Sequence, residues 1–169
     1  MGSESMNDQF WMKQALKLAV NAWFEEEVPV GAILVQDDKI IGQGWNRPIT
    51  VSDPTAHAEI QCLRDASARV GNYRLVNSTL YVTIEPCSMC AGAIIHSRVD
   101  RVVFGATEPK AGAVCSHQGM FEQPQFNHKV EWQGGVLEKE TRLMIQRFFQ
   151  YRRKPSMAKF AGYLDAFIE

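Results

Sequence analysis

The amino-acid sequence predicts one α/β domain built on a central mixed sheet. The chain has 169 residues, of which 46% are apolar and 22% charged, and this length is enough to bury a sizeable core. Its apolar patterns follow the order helix, hairpin, helix, strand, helix, strand and helix. Such alternation is typical of folds in which helices pack on a buried sheet.

Each element is predicted from its own pattern. The first helix covers residues 10–24, because Lys13, Lys17 and Asn21 recur every four positions in one polar stripe and leave the other faces to the core. A polar turn at 36–39 inside the apolar segment 28–45 predicts a hairpin. The remaining predicted elements are a helix over 54–69, a strand over 79–83, a helix over 87–97, strands over 101–105 and 129–133, and a helix that begins near 137.

The composition indicates the cellular compartment and the classes of partner to expect. Four cysteines without a secretory leader favour a reducing cytoplasm, where metal binding is commoner than disulfides. No apolar run approaches the roughly 20 residues that span a bilayer, so no membrane partner is expected. The net charge of −1 gives no overall sign of nucleic-acid binding. Residues 1–9 are expected to be a disordered or expression-derived N-terminus, 10–153 the domain, and 154–169 a C-terminal tail.

Cys87 and Cys90 follow Pro86 in the pattern Pro-Cys-x-x-Cys. Residues three apart on a helix share a face, so both sulfur atoms are expected to point to one place. Proline is best tolerated in the first turn of a helix, and the cysteine pair should therefore lie at a helix N-terminus. Unpaired backbone N–H groups and the helix dipole there lower thiol pKa values and favour metal-binding thiolates.

His57 is the predicted third ligand and Glu59 the predicted proton donor and acceptor. Pro54 marks a helix start with Asp53 or Thr55 as its cap, which places His57 in or near the first turn. Glu59 is two residues further on and faces another way, so we expect it beside a water on the metal and not among the ligands. One histidine, two cysteines and an open fourth position are typical of catalytic zinc. Because two thiolates cancel the charge of the dication, that water needs a general base.

Either half of this pattern alone has a simpler explanation. An isolated Cys-x-x-Cys is often two buried small side chains, and an isolated His-x-Glu arises by chance. Together, His-x-Glu and Pro-Cys-x-x-Cys are instead characteristic of zinc-dependent nucleobase deaminases. The predicted cofactor is therefore Zn²⁺, one ion per chain, held by His57, Cys87 and Cys90.

Longer stretches resemble the bacterial tRNA-specific adenosine deaminases, a family within the cytidine and deoxycytidylate deaminase superfamily. The resemblance runs from about Phe10 to Arg153 and is more specific than the zinc motif alone. It is carried by the segments EVPVGAILV (27–35), GWNRP (44–48), DPTAHAEI (53–60), NYRL (72–75), TLYVTIEPCSMCAGAIIHSRV (79–99) and RVVFGA (101–106).

The resemblance implies a three-layer α/β/α sandwich around a mixed five-stranded sheet, the cytidine-deaminase-like fold, assembled as a homodimer. It also implies a hydrolase that converts adenosine to inosine at the wobble position, the first anticodon nucleotide, of a tRNA and releases ammonia. The expected substrate is the arginine tRNA with anticodon ACG. The residues that it places on the base or around its pocket are Val30, Gly31, Asn46, Ala58 and Ile84.

Two of these assignments stay open on the residues alone. The Asn46 amide both donates and accepts hydrogen bonds, which suits a purine edge, but a turn residue is the simpler interpretation. Gly31 permits close approach by a ligand or by another backbone, or it marks a bulge.

The segment 142–159 has six basic residues and no acidic one. Its interleaved aromatic residues are Phe148, Phe149 and Tyr151. Bases stacked on aromatic rings beside cations are typical of single-stranded nucleic-acid binding, whereas the alternative is buried rings below a solvated charged face. With the resemblance, we predict RNA contacts from Phe149, Arg152 and Arg153, and the tRNA anticodon stem-loop as partner.

Residues 106–128 are predicted to be a loop with a turn of helix. Glu108, Pro109 and Cys115 depart from the family pattern, which has an aspartate, a non-proline residue and a glycine there. Substrate contacts from this loop are therefore expected to differ in detail, but the zinc chemistry is not.

Two other functions fit part of the pattern. A deaminase of a free base such as guanine or cytosine would use the same zinc site, and a zinc-stabilised binding module would have no activity. Three ligands instead of four, with a carboxylate at the open position, argue against the binding module.

Overall fold

The computed structural model describes residues 2–154 and 157–169, and their side chains from 8 to 154 and from 160 to 169. The helices described are α1 (Gly2–Phe24), α2 (Ala58–Val70), α3 (Ser88–His96), α4 (Glu138–Arg153) and α5 (Met157–Ile168). The strands described are β1 (Gly31–Gln36), β2 (Lys39–Trp45), β3 (Thr79–Ile84), β4 (Arg101–Ala106) and β5 (Glu131–Gln133). The predicted turn of helix within 106–128 is a 3₁₀ turn, Met120–Glu122.

The five strands form one mixed sheet in the order β2-β1-β3-β4-β5. Strand β1 is antiparallel to both of its neighbours, and β3, β4 and β5 run parallel. Asp37 and Asp38 join β1 to β2 with φ values of 50° and 56°. A two-residue hairpin turn favours positive φ at both central positions, and aspartate tolerates it better than most residues. The crossover between β3 and β4 is α3, the helix that carries the cysteine pair.

Helices cover both faces of the sheet, so the molecule has three layers. Alternate side chains of β1 divide between the faces: Ala32 and Leu34 pack with α2 and α3, whereas Ile33 and Val35 pack on α1. Helices α4 and α5 complete the second face by packing on α1. The predicted α/β/α sandwich with a mixed five-stranded sheet is confirmed.

Strand β2 lies unusually close to α2. A Cβ atom at Gly44 would lie 2.5 Å from the Cys62 nitrogen and 2.6 Å from the Ala58 oxygen. Gly42 makes the same kind of approach one turn further along, at Ala66. Only glycine lets a strand pack this tightly on a helix backbone, and the contact fixes the start of α2, where His57 lies.

Of the N-terminal segment 1–9, the described residues 2–9 belong to α1. Asp8 is only 6% exposed. Its carboxylate accepts hydrogen bonds from the Tyr81 hydroxyl at 2.9 Å and from the Arg101 guanidinium at 2.8 and 2.9 Å. This ion pair fastens α1 to the ends of β3 and β4 away from the cysteine pair.

The segment 154–169, expected as a C-terminal tail, contains helix α5 at 157–168. Phe160 and Leu164 are buried, and Phe167 continues the same helical spacing. The ring of Phe160 lies 5.7 Å from that of Trp23 in α1. An apolar stripe at this spacing predicts a packed helix, and it was present in the sequence. Residues 155 and 156 lie outside the described residues.

Among the described residues, no helix combines the length and the apolar character that crossing a membrane requires.

Candidate active site

Helices α2 and α3 point their N-termini at the same place. His57 is the N-cap of α2 and Cys87 the N-cap of α3, both with extended backbone. Neither N-cap has a side-chain capping hydrogen bond, and Nδ1 of His57 faces Sγ of Cys87. Cys90 lies in the first turn of α3, so the cysteine pair opens that helix as predicted.

Helix α2 begins at Ala58, four residues after the predicted start at Pro54. Asp53 does not cap the helix. Its carboxylate accepts hydrogen bonds from the backbone nitrogen and the hydroxyl of Thr55, at 2.9 and 2.7 Å. These bonds close a tight local turn, which is the usual competitor of a helix cap for aspartate. His57 therefore precedes the first turn instead of lying inside it.

The spacing of the three predicted ligands fits zinc. Nδ1 of His57 lies 3.6 Å from Sγ of Cys87 and 3.6 Å from Sγ of Cys90. Tetrahedral zinc, with bonds of about 2.3 Å to sulfur and about 2.05 Å to nitrogen, separates a nitrogen and a sulfur ligand by about 3.6 Å. All three ligand atoms lie within 4.8 Å of one another.

The two thiols affect each other's ionisation. Hydrogen bonds from the Cys90 thiol and from His57 lower the pKa of Cys87 to about 4, although burial opposes this. The neighbouring Cys87 thiolate and burial raise the pKa of Cys90 above its ordinary value. Two thiolates this close need a cation between them, and a divalent metal supplies the missing charge. The donor set therefore fits zinc in charge as well as in spacing.

Glu59 lies in the first turn of α2 and is only 3% exposed. Burial raises the pKa of its carboxyl group, while Cys90 and His57 act in the opposite direction. A buried carboxyl group with a raised pKa can accept and return a proton near neutral pH. Glu59 is outside the group of three ligand atoms.

A cleft of about 240 Å³ opens at this site. Pockets for drug-sized ligands measure about 300–1,000 Å³, so this one suits a smaller group such as one base. Its lining includes these residues assigned from the sequence: Val30, Asn46, His57, Ala58, Glu59, Ile84 and Cys87. It also includes four that the sequence did not assign: Val28, Glu85, Glu108 and Ala111. The backbone nitrogen of Asn46 donates to the backbone oxygen of Val30 at 3.1 Å. This bond joins two walls of the cleft.

Gly31 faces away from the cleft. A Cβ atom there would clash with the backbone oxygen of Ala15 in α1 and lie 2.6 Å from the Ala19 nitrogen. The close approach that Gly31 permits is to another backbone, and the wall of the cleft is formed by its neighbour Val30. The structure therefore does not bring Gly31 to the base site.

The three predicted RNA contacts lie on α4 and not in the cleft. Phe149 is 46% exposed, and Arg153 is also exposed. The Arg152 guanidinium donates to the backbone oxygen of Glu26 at 3.1 Å. Phe148 and Tyr151 are buried against Trp23, so the core interpretation is correct for these two rings.

Three consecutive glutamates, which the sequence interpretation missed, join α4 to the cleft. Glu25 accepts from Arg47 at 2.9 Å, Glu26 from the Tyr151 hydroxyl at 2.6 Å, and Glu27 from the Thr50 nitrogen at 2.7 Å. The turn after α1 thereby ties the loop that follows Asn46 to the end of α4. Acidic residues at a helix C-terminus interact unfavourably with the helix dipole. Their presence after α1 was therefore the feature of the sequence that could have indicated partners elsewhere in the fold.

The family-model comparison decides the affiliation. Residues 5–106 match the cytidine and deoxycytidylate deaminase zinc-binding region. The chain belongs to this deaminase family. Within the matched region, the ligand atoms of His57, Cys87 and Cys90 lie within 4.8 Å of one another. His57, Cys87 and Glu59 line the cleft.

Individual relatives are similar over most of their length. The tRNA-specific adenosine deaminase of Haemophilus influenzae is 53% identical over 148 residues, covering 87% of this chain and 86% of that protein. That of Bacillus subtilis is 43% identical over 151 residues, covering 89% and 94%. A solved structure from work on A-to-I editing by tRNA:A34 deaminases at the wobble position of transfer RNA is 42% identical. It matches with a TM-score of 0.78 over 80% of this chain and 98% of its own.

Proposed function

We propose that this deaminase converts adenosine to inosine at the first anticodon position of tRNA and releases ammonia. The observation that carries the proposal is the His57, Cys87 and Cys90 group beside the buried Glu59, in a cleft suited to one base. The relatives named tRNA-specific adenosine deaminases support the choice of substrate class.

We propose one zinc ion per chain, held by Nδ1 of His57 and by the two thiolates. When bound, zinc supplies the Lewis acidity that makes a water nucleophilic near neutral pH. The ionisation of the cysteine pair favours a bound metal, because Cys87 and Cys90 can both be thiolates only beside a cation.

Glu59 moves the protons of the reaction. Its carboxylate takes one proton from the attacking water as oxygen bonds to C6 of the base, and it delivers this proton to N1. It then carries the proton of the new C6 hydroxyl group to the departing amine, so adenosine and water give inosine and ammonia. The Asn46 amide can donate to and accept from the purine edge, and Val30, Ala58 and Ile84 exclude water around it.

The polynucleotide is proposed to reach from the cleft to the end of α4. The Glu25–Glu27 turn connects the two regions, and Phe149 and Arg153 are exposed there. Exposed rings and cations together favour single-stranded RNA, as in an anticodon loop. The proposed substrate is the arginine tRNA with anticodon ACG. The proposed location is the cytoplasm, where thiolate ligands stay reduced.

A homodimer is proposed as the working form. A surface groove of about 440 Å³ lies between α2 and α3, with Ile60, Leu63 and Ala93 in its lining. Tyr73 beside it is 64% exposed. An apolar groove beside an exposed tyrosine ring favours a protein partner. Light scattering after size-exclusion chromatography tests this, and a mass of one chain at micromolar concentration contradicts it.

Mapping of inosine in total bacterial tRNA tests the proposed reaction. After incubation with the zinc-loaded enzyme, sequencing should show inosine at the first anticodon position of the arginine tRNA with anticodon ACG. The Glu59→Ala variant is the matched control, and it should leave that adenosine unchanged. Inosine elsewhere, or none above the control, contradicts the proposal.

A further inference from the structure

A second buried carboxylate, Glu85, lines the same cleft as Glu59 but has different partners. Glu85 follows β3, two residues before the ligand Cys87, and is only 2% exposed. It accepts hydrogen bonds from four backbone N–H groups and one hydroxyl, all in the loop 108–116. The backbone donors are Glu108 at 3.1 Å, Val114 at 3.1 Å, Cys115 at 2.9 Å and Ser116 at 2.9 Å. The hydroxyl donor is that of Ser116.

These bonds occupy the lone pairs of the Glu85 carboxylate. Oε1 accepts from Glu108 and from the Ser116 hydroxyl, and Oε2 accepts from the other three amides. A carboxylate has about four acceptor sites, so Glu85 has none left to exchange protons with a substrate. This separates Glu85 from Glu59, which has no such set of backbone partners within the described residues.

The loop that Glu85 holds forms one wall of the cleft. Glu108 and Ala111 belong to the lining. Gly112 lies directly on the carboxyl group, where a Cβ atom would clash with it. The Ala113 nitrogen donates to the Pro86 oxygen at 2.9 Å, and Gly112 forms an isolated β-bridge with Cys87. The wall is therefore fastened to the segment that carries a metal ligand.

The side chains bonded to Glu85 in this loop are those of Ser116 and Cys115, and its four other bonds come from backbone N–H groups. Replacement of the side chains at Glu108 and Cys115 leaves these backbone bonds in place, since every residue except proline offers the same N–H group. Pro109 has no N–H group, and it stands at a position from which Glu85 takes no bond. The loop can thus depart from the family pattern at all three positions without losing its anchor.

We propose that Glu85 is a positioning residue, which holds the loop 108–116 as a wall of the base site and thereby sets substrate affinity. This inference rests on the proposed function for its kinetic consequence, while its structural part can be measured without turnover. A fixed wall contributes to binding of the substrate and of the transition state alike, so its loss should raise KM more than it lowers kcat.

The test uses the zinc-loaded full chain carrying Glu85→Gln, which keeps the shape but turns one acceptor atom into a donor facing other donors. Amide hydrogen exchange at 114–116 should accelerate about tenfold or more. With an anticodon stem-loop as substrate, KM should rise about fivefold or more, while kcat stays within about twofold and zinc content is unchanged.

Asp8→Asn is the matched control, because Asp8 is also a buried carboxylate but lies at the opposite end of β3 and β4. It should lower thermal stability and leave both the exchange at 114–116 and KM unchanged. An equal effect of the two variants on KM would show a general loss of stability and would overturn the inference.

Two other results overturn it as well: unchanged exchange in Glu85→Gln, or faster exchange with an unchanged KM. If Glu85→Gln does not fold or loses zinc, Ser116→Ala replaces it and should shift both quantities in the same direction by less. A wild-type enzyme that does not deaminate RNA refutes the proposed function, yet the exchange data still decide whether Glu85 holds the loop.

Discussion

His57 and Cys87 occupy the same kind of position in two different helices. Each is an N-cap without a side-chain capping hydrogen bond. At that position the side chain is fixed by the backbone of a regular element and still points outward beyond the helix end. The positive ends of α2 and α3 also favour thiolate over thiol, which suits a metal site. Two helix starts therefore build most of the ligand set.

Replacement of either cysteine ligand should remove the metal. We expect Cys87→Ser and Cys90→Ser to lose most or all of the one zinc per chain, because a hydroxyl is a far weaker zinc ligand than a thiolate. Elemental analysis of purified protein measures this. Cys115→Ser is the control, since Cys115 is exposed and outside the ligand group, and it should keep full zinc content. Unchanged zinc in both ligand variants contradicts the site.

Loss of the Glu59 carboxyl group should separate binding from chemistry. We expect Glu59→Ala to keep its zinc, its fold and its RNA affinity, and to lose about 10²–10⁴-fold in turnover, because only the proton carrier is missing. Zinc analysis, RNA binding and single-turnover rates measure the three quantities. If the variant loses its metal instead, Glu59 is a ligand.

The ligands could be predicted from the sequence because their chemistry depends on short spacings. Cys87 and Cys90 lie within one turn, and His57 and Glu59 are two residues apart. Glu85 could not be predicted in the same way, since its partners lie 23 to 31 residues further along the chain. Contacts at that separation depend on how β3 and the loop 108–116 meet in space, which no local pattern records.

At the scale of elements, the contact between β2 and α2 positions His57. Gly42 and Gly44 allow the strand to lie on the helix backbone, so α2 cannot shift along the sheet without a clash. The start of α2, and with it the His57 ring, is thereby placed opposite α3. A side chain at Gly44 would push the two elements apart.

We expect Gly44→Ala to destabilise the fold by about 1–3 kcal/mol, since its methyl group would press on the α2 backbone. It should also weaken zinc binding, because the His57 ring would move away from the cysteine pair. Thermal unfolding and chelator competition measure the two effects.

Gly92→Ala is the matched control, because nothing lies within 4 Å of a Cβ atom at that helical position. It should stabilise the protein by up to about 1 kcal/mol through helix propensity. A Gly44→Ala protein as stable as wild type contradicts the role of the β2–α2 contact.

Element boundaries were the least predictable feature, and the two errors have different causes. Helix α2 begins late because Asp53 uses its carboxylate in a turn with Thr55, a choice that the sequence allows but does not decide. Helix α5 was missed although Phe160 and Leu164 have helical spacing, since the tail was interpreted by its position in the chain. Its buried side chains pack against α1 and α4, and Trp23 in α1 lies more than a hundred residues earlier in the chain.

At the scale of the whole molecule, the cleft lies at the carboxyl end of β3. Ile84 ends that strand and lines the cleft, and Cys87 follows three residues later. Ligands of open α/β sheets commonly bind at this edge. The Glu25–Glu27 turn extends the site toward α4, on the other face of the sheet, so both helical layers contribute to the proposed RNA surface.

We expect Arg152→Ala/Arg153→Ala to keep zinc and to lose tRNA affinity. Each lost phosphate contact should also reduce the slope of log binding constant against log salt concentration by about one. The loss of affinity relative to wild type should therefore be greatest at low salt. Binding titrations across salt concentrations measure this. Lys13→Ala/Lys17→Ala removes the same charge from the polar stripe of α1 and should bind as wild type does. Equal losses in the two double variants would indicate a general charge effect and contradict specific contacts on α4.

The most direct test of the central claim compares substrates for release of ammonia. The zinc-loaded enzyme should release ammonia from an anticodon stem-loop with adenosine at the first anticodon position, and the Glu59→Ala variant should not. Free adenosine, guanine and cytosine should give negligible release at the same concentration, because they lack the flanking phosphates and bases that the α4 surface is proposed to bind. Brisk turnover of a free base, together with an inert stem-loop, would contradict the account and favour a small-molecule deaminase.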